Sequence, residues 1–185
     1  ASATGILTID GGTVNVTSHL WAGSGAPGVG TIYISNGGIF NVGGNIGLGT
    51  VNASTPSGGK ASLFVQDDGV LNLAQISPVT SIQPNSVLDL SGSGMVTIPN
   101  DLTAVISDYT NALRITAYGG LGTVGIDFDT LNAGKTTLFA MAPSVPPPTD
   151  VVWDPAANPS GTGKWNESAN WTGGIAPASV TAVTF

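Results

Sequence analysis

Along the first hundred residues apolar and polar side chains alternate in short bursts, and the bursts come in pairs. Each pair consists of an apolar-any-apolar triplet, a Gly-rich turn of four or five residues and a second triplet of the same kind. Four copies align: Leu7-Thr8-Ile9 with Val14-Asn15-Val16, Ile32-Tyr33-Ile34 with Phe40-Asn41-Val42, Leu63-Phe64-Val65 with Leu71-Asn72-Leu73, and Leu88-Asp89-Leu90 with Val96-Thr97-Ile98. A period of two is that of a β-strand, with one row of side chains turned inward and the other outward. The equivalent residues Ile9, Ile34, Val65 and Leu90 recur at intervals of 25, 31 and 25 positions. That interval is too long for a hexapeptide left-handed coil and suits a three-sided one. The pattern therefore predicts an all-β chain, a right-handed parallel β-helix whose coils stack and bury the inward row. Weaker third strands are expected near Leu20-Trp21-Ala22, Asn45 to Leu48 and Ala74-Gln75-Ile76.

The turns agree with this reading. Asp10-Gly11-Gly12, Asn36-Gly37-Gly38, Asp67-Asp68-Gly69 and Ser91-Gly92-Ser93-Gly94 supply residue types that tolerate positive φ at sharp corners. The longer second interval is explained by an insertion, Val51 to Lys60, whose Ser, Pro and Gly content predicts a surface loop. After Pro99 the repeat weakens. Leu102 to Ile106 and Ala112 to Tyr118 form either a last coil or a cap, and Val124 to Asp129 with Thr136 to Ala140 form a closing pair of strands. A cap is expected because an open coil end is a template for aggregation. The organisation expected is a β-helix with closing strands over 1–144, a Pro-rich linker over 145–152 around Pro146-Pro147-Pro148, and a Trp-rich segment over 153–185.

Composition narrows the function. Charged residues are 8% of the chain, against about a quarter in ordinary globular proteins, and Gly, Ser, Thr and Asn are abundant, as in secreted surface proteins. A net charge of -7 with four Lys or Arg leaves no basic patch for phosphates, which excludes nucleic acid and anionic membranes as favoured partners. Neutral ligands fit better. There is no Cys, so no thiolate nucleophile, disulfide or Cys-based metal site enters the picture. No stretch approaches the ~18 apolar residues of a membrane span, and the first residues carry no export signal, so any such signal is expected outside this sequence.

The tail carries three tryptophans in the segments Trp153-Asp154-Pro155, Lys164-Trp165-Asn166 and Asn170-Trp171-Thr172-Gly173-Gly174. Together with the Gly-Gly strand units of residues 7 to 98, this pattern resembles the β-strand repeats associated with autotransporters and large secreted bacterial proteins. There, a Trp-Asn...Asn-Trp segment opens a β-helical module and a Gly-rich strand like Arg114 to Ala140 closes one. The resemblance implies an extracellular or cell-surface location. It leaves the tail either capping the exposed first coil of its own or a neighbouring chain, as a tail-capped or domain-swapped oligomer, or beginning a next module. On the repeat region and composition, the chain is also similar to β-helical carbohydrate-binding modules of bacterial polysaccharide-degrading enzymes. That resemblance implies non-catalytic binding of a plant cell-wall polysaccharide, with xylan favoured.

Candidate binding residues follow from the outward rows. The first, Thr8, Tyr33, Phe64 and Asp89, sets two aromatic rings on neighbouring rungs about 4.8 Å apart, where they either stack on sugar rings or on one another. The second row, Asn15, Asn41, Asn72 and Thr97, offers amides that suit sugar hydroxyls or form a structural ladder. Trp21, outward if Leu20 and Ala22 face inward, is a further platform or packs under the Gly23 to Gly30 loop. Trp153, Trp165 and Trp171 read as a capping cluster more than an open cleft. For catalysis the residues are thin: His19 is the single histidine and reads as a surface residue, and no Gly-x-Ser-x-Gly turn is present, so no catalytic residue is assigned. Asp67-Asp68 and Asp127-x-Asp129 are the acidic pairs; they serve turns, with calcium as the alternative. The expected function is non-catalytic binding of a neutral glycan, the alternative a structural stalk or adhesin segment.

Overall fold

Inward apolar rows dictate the architecture, a parallel β-helix of about four turns. The first coil is built from β1 (Thr4–Asp10), β2 (Thr13–Val16) and β3 (Leu20–Ala22), and the second from β4 (Val29–Ser35) and β5 (Ile39–Leu48). An antiparallel pair, β6 (Thr50–Asn52) and β7 (Thr55–Pro56), lies within the insertion that had been expected as plain loop. The third coil has β8 (Lys60–Val65) and β9 (Val70–Gln75), and the fourth β10 (Val87–Leu90) and β11 (Met95–Pro99). Then follow α1 (Thr103–Asn111), β12 (Ile115–Ala117), β13 (Thr123–Phe128) and β14 (Lys135–Met141). The computed structural model describes residues 3–52, 55–56, 58–78, 80–143, 151–152 and 183–184, those at 51–52, 55–56, 151–152 and 183–184 by their backbone alone.

One sheet runs β1-β4-β8-β10-β12, all parallel; the other runs β2-β5-β9-β11 in parallel and is completed by antiparallel β14 and β13. Register follows the sequence alignment: Leu7 pairs with Ile32, Ile32 with Leu63, Leu63 with Leu88 and Leu88 with Ile115. On the second sheet Val14, Phe40, Leu71 and Val96 stack likewise, and Leu138 continues the column. Because each coil repeats the one below, like side chains stack on like, and Ile34, Phe40, Leu63, Leu71, Leu88 and Ile98 are wholly buried.

At the corners the chain turns through paired positive-φ residues, Asn36 with Gly37 and Asp67 with Asp68, each closed by a hydrogen bond from Gly38 to Ser35 or from Gly69 to Gln66, both at 2.8 Å. The third side is less regular. In the second coil it is the far half of β5, reached through a bulge between Val42 and Asn45, and Ile46 to Leu48 pair with β3 as expected. In the third coil the expected strand at Ala74-Gln75-Ile76 is instead the end of β9, and the third side is completed by Ile82, bridged to Leu48.

The C-terminal end is closed by α1, which turns Ile106 and Tyr109 into the core, and by the β13–β14 hairpin. Leu102 to Ile106 thus enters a helix and serves as the cap, not a last coil. Tyr109 fixes it there: its hydroxyl donates to the Ser77 carbonyl at 2.6 Å and accepts from the Ser81 N–H at 2.9 Å. The closing strands at 124–129 and 136–140 correspond to β13 and β14. This unit spans Ala1–Pro143; a second spans Ser144–Phe185, in which β15 (Val151–Val152) pairs in parallel with β16 (Val183–Thr184). Trp153, Trp165 and Trp171, and with them the expected capping cluster, lie outside the described residues.

Candidate functional site

Strand alternation places the five residues singled out for binding on three different sides of the helix. Tyr33 and Phe64 stand on the β1-β4-β8-β10-β12 face, Asn41 and Asn72 on the β2-β5-β9-β11 face, and Trp21 on the third side. No single site contains them all.

On the first face Tyr33 and Phe64 occupy paired rungs and stack with centroids 5.1 Å apart and planes 12° from parallel. Two six-membered rings that close together are offset face to face, not side by side in one plane, so they form no continuous flat platform. Each keeps one outer face. Tyr33 is 36% exposed and Phe64 half-buried. The described end of the insertion, Gly58 and Gly59, lies against Gly23, Gly25 and Ala26.

The free side of Phe64 opens onto the next rung, where Asp89 takes the outward position. Asp89 is only 8% exposed, because the coil above and the tight turn after β12 close over it. Its Oδ1 accepts from the Thr116 hydroxyl at 2.5 Å and from the Gly119 N–H at 2.9 Å; Oδ2 has no donor among the described residues. A groove of about 460 Å³ lies here, walled by Phe64, Val87 and Leu113 and floored by Asp89, Thr116 and the Gly119-Gly120 backbone. Tyr118, Gly119 and Gly120 all have positive φ, which glycine adopts without strain, and a Cβ on either glycine would stand in open space with no atom within 4 Å. Leu113, 72% exposed, forms the groove's apolar rim. The groove thus pairs one aromatic face with a buried carboxylate holding free acceptor capacity.

On the second face the amides form a ladder. Asn41 Nδ2 donates to Asn15 Oδ1 at 2.7 Å, Asn72 Nδ2 to Asn41 Oδ1 at 2.8 Å, and the Thr97 hydroxyl to Asn72 Oδ1 at 2.6 Å. Asn41 and Asn72 each use one N–H and one lone pair on their neighbours, whereas Asn15 only accepts. Beside them runs an outward column of half-buried Ile39, Val70 and Met95. On the third side Trp21 is half-buried, its indole lying over Gly47 on the next rung and stacked on His19 at 5.3 Å. His19 Nδ1 accepts from the Asn45 N–H at 2.8 Å, which makes it part of the corner.

The acidic pairs have structural tasks. Asp67 and Asp68 form the left-handed corner, and the Asp68 N–H donates to Ser93 Oγ at 2.9 Å. Asp127 Oδ2 accepts from the N–H groups of Thr130 and Leu131, and Asp129 Oδ1 from that of Gly134, so both hold the β13–β14 loop. Of the groove residues, sequence reasoning reached Phe64 and placed Asp89 outward, but it missed Leu113, Thr116, Gly119 and Gly120. The signal available was the Gly-Gly pair that follows β12 after Tyr118. Comparison of the chain with protein families, with curated proteins and with solved structures finds no match.

Proposed function

We propose that the chain binds a neutral, hydroxyl-rich polysaccharide of plant cell-wall type, with xylan the favoured ligand, and does not act on it chemically. The reading is supported above all by the groove in which the free face of Phe64 adjoins the Asp89 carboxylate. A pyranose ring has an apolar C–H face and an equatorial fringe of hydroxyls. The first packs on Phe64 and Leu113, while one hydroxyl donates to Asp89 Oδ2. A hydrogen bond to a buried charged acceptor contributes about 1.5–3 kcal/mol, enough to orient one sugar, and a polymer adds weak contacts on neighbouring rungs. Such binding belongs outside the cell, tethering a secreted enzyme or a bacterial surface to its substrate.

The test is affinity gel electrophoresis of the whole chain against xylan, β-glucan, mannan and soluble cellulose derivatives. Retardation by one glycan is expected, abolished in Phe64→Ala and weakened at least ~10-fold in Asp89→Asn, which keeps an acceptor for Thr116 but replaces the free oxygen. If no glycan retards the chain, or if both variants bind as the parent does, this reading fails. A second reading, a structural stalk, is favoured by the amide ladder and the stacked Tyr33–Phe64 pair, which tie side chains to neighbouring rungs.

A further inference from the structure

Asp89 is the one carboxylate that the fold buries among the described residues; the others are exposed or half-buried. Burying a charge is costly unless an opposite charge and hydrogen bonds offset it. Here the offset is half complete. Oδ1 receives the Thr116 hydroxyl and the Gly119 N–H, and neither donor carries a charge. The described cations lie elsewhere: Arg114 Nη1 donates to the Ile82 carbonyl at 3.0 Å, Lys60 opens β8 opposite Val29, and Lys135 opens β14 opposite Pro99. Oδ2 is left to the groove with neither a donor nor a counter-charge among the described residues.

The surroundings of Oδ2 narrow what can supply that charge. Hard divalent ions take about six or more oxygen ligands, whereas the groove sets one free carboxylate oxygen between the carbon walls of Phe64, Val87 and Leu113. No group of three His, Cys, Asp or Glu that could hold a metal ion occurs among the described residues. A guanidinium fits a carboxylate best as a two-pronged fork, and Oδ1 already has two donors. A primary ammonium is a compact point charge that a single oxygen satisfies. Phe64 adds a second attraction. It pairs with Asp89 on the neighbouring rung, about 4.8 Å away, so a cation on Oδ2 falls within the ~6 Å over which an aromatic face attracts positive charge.

We propose that the groove binds a primary alkylammonium group, its nitrogen donating to Asp89 Oδ2 beside the free face of Phe64 and its carbon stem lying along Leu113 and Val87. This goes beyond the glycan reading, because a neutral sugar leaves the carboxylate without a counter-charge. Ammonium and sugar hydroxyl compete for the same oxygen, so each displaces the other. A free amine and the end of a lysine side chain share the chemistry, and the chain's net charge of -7 favours the approach of either.

The test titrates the full, isotope-labelled chain with n-butylammonium chloride and with n-butanol, its neutral counterpart, and follows the amide resonances. Shifts at Thr116, Gly119 and Gly120 are expected to saturate with butylammonium at least ~10-fold more tightly than with butanol, because a charged donor replaces a neutral one. The gap closes in Asp89→Asn and narrows roughly 3-fold in Phe64→Leu, which keeps an apolar wall but removes the aromatic face. A lysine blocked at both ends separates the two sources: if it binds like butylammonium the site accepts lysine side chains, and if it does not the site is one for free amines; both uphold the proposal. The proposal is overturned if the parent chain binds butylammonium no more tightly than butanol, if propylguanidinium binds as tightly as the ammonium, or if the shifts fall outside the groove. The comparison on the parent chain decides the matter even where a variant fails to fold. Affinity electrophoresis keeps the two readings apart. A chain retarded by a glycan and indifferent to butylammonium retains the glycan reading and loses this one; a chain that binds butylammonium and is retarded by no glycan does the reverse.

Discussion

Gly69 is the residue on which the stacking of corners depends most plainly. A Cβ at this position would lie 2.8 Å from the Gln66 carbonyl oxygen and 2.8 Å from the Ile34 carbonyl carbon, and closer still to the Ile34 oxygen. Ordinary contacts begin at 3.4 Å, so the corner must move by more than roughly 0.6 Å against backbone, which has no rotamer to change. The movement strains the bonds that tie the coils together: Gln66 N–H to Ile34 O at 3.0 Å, Val70 N–H to Gly38 O at 2.8 Å and Met95 N–H to Gly69 O at 2.9 Å. Overpacking of this kind costs about 1–3 kcal/mol, and the stiffer unfolded chain accounts for a further, opposite change on the order of 0.4–1 kcal/mol only at sites that accept a side chain without strain. A net loss of ~2 kcal/mol is expected for Gly69→Ala, or roughly 30-fold in the folding equilibrium. Equilibrium urea unfolding followed by far-UV circular dichroism measures it as a midpoint lowered by about 1 M. The control is Gly5→Ala, where a Cβ meets no atom within 4 Å. Equal midpoints for the two variants would refute the argument that coil spacing forces glycine at this corner; Gly38 and Gly94, under the carbonyls of Ile9 and Val65, extend the comparison.

Tyr109→Phe leaves the Ser77 carbonyl and the buried Ser81 N–H without their partner, so a loss of about 1–3 kcal/mol is expected in the same unfolding assay. Burial raises the Tyr109 pKa above its ordinary value near 10, against smaller opposing effects from hydrogen bonds and Arg114. The unfolded state therefore ionises first, and the contribution present below pH 10 is lost as the pH rises through the folded pKa. That alkaline decline is expected in the parent chain and diminished in Tyr109→Phe. Asn72→Ala removes the bonds to Asn41 and Thr97 together and is expected to cost about 1–2 kcal/mol; a midpoint equal to the parent's shows that the ladder adds nothing to stability.

Residues 7 to 98 determined the coil by themselves, because a period of two and a repeat near 25 residues are local properties that only a stacked strand can satisfy. Ile9, Ile34, Val65 and Leu90 share one column, and Asn15, Asn41 and Asn72 share one outward row, because parallel in-register pairing converts sequence alignment directly into contact. The third side was harder to read, since Ile46 and Ile82 reach it through a bulge and a loop with no alternating pattern to count. Thr103 to Asn111 became a helix because covering a coil end needs Ile106 and Tyr109 on one side of one element, a demand set by the core below and not by the segment's own preference. The candidate groove depended on tertiary structure in the same way. Phe64 and Asp89 were placed on neighbouring rungs by alignment, but Leu113, Thr116 and the Gly119-Gly120 turn close over Asp89 only once the cap has folded. Repetition is written in the chain one coil at a time; what ends the repetition, and the groove that forms there, is decided by the surface the last coil leaves uncovered.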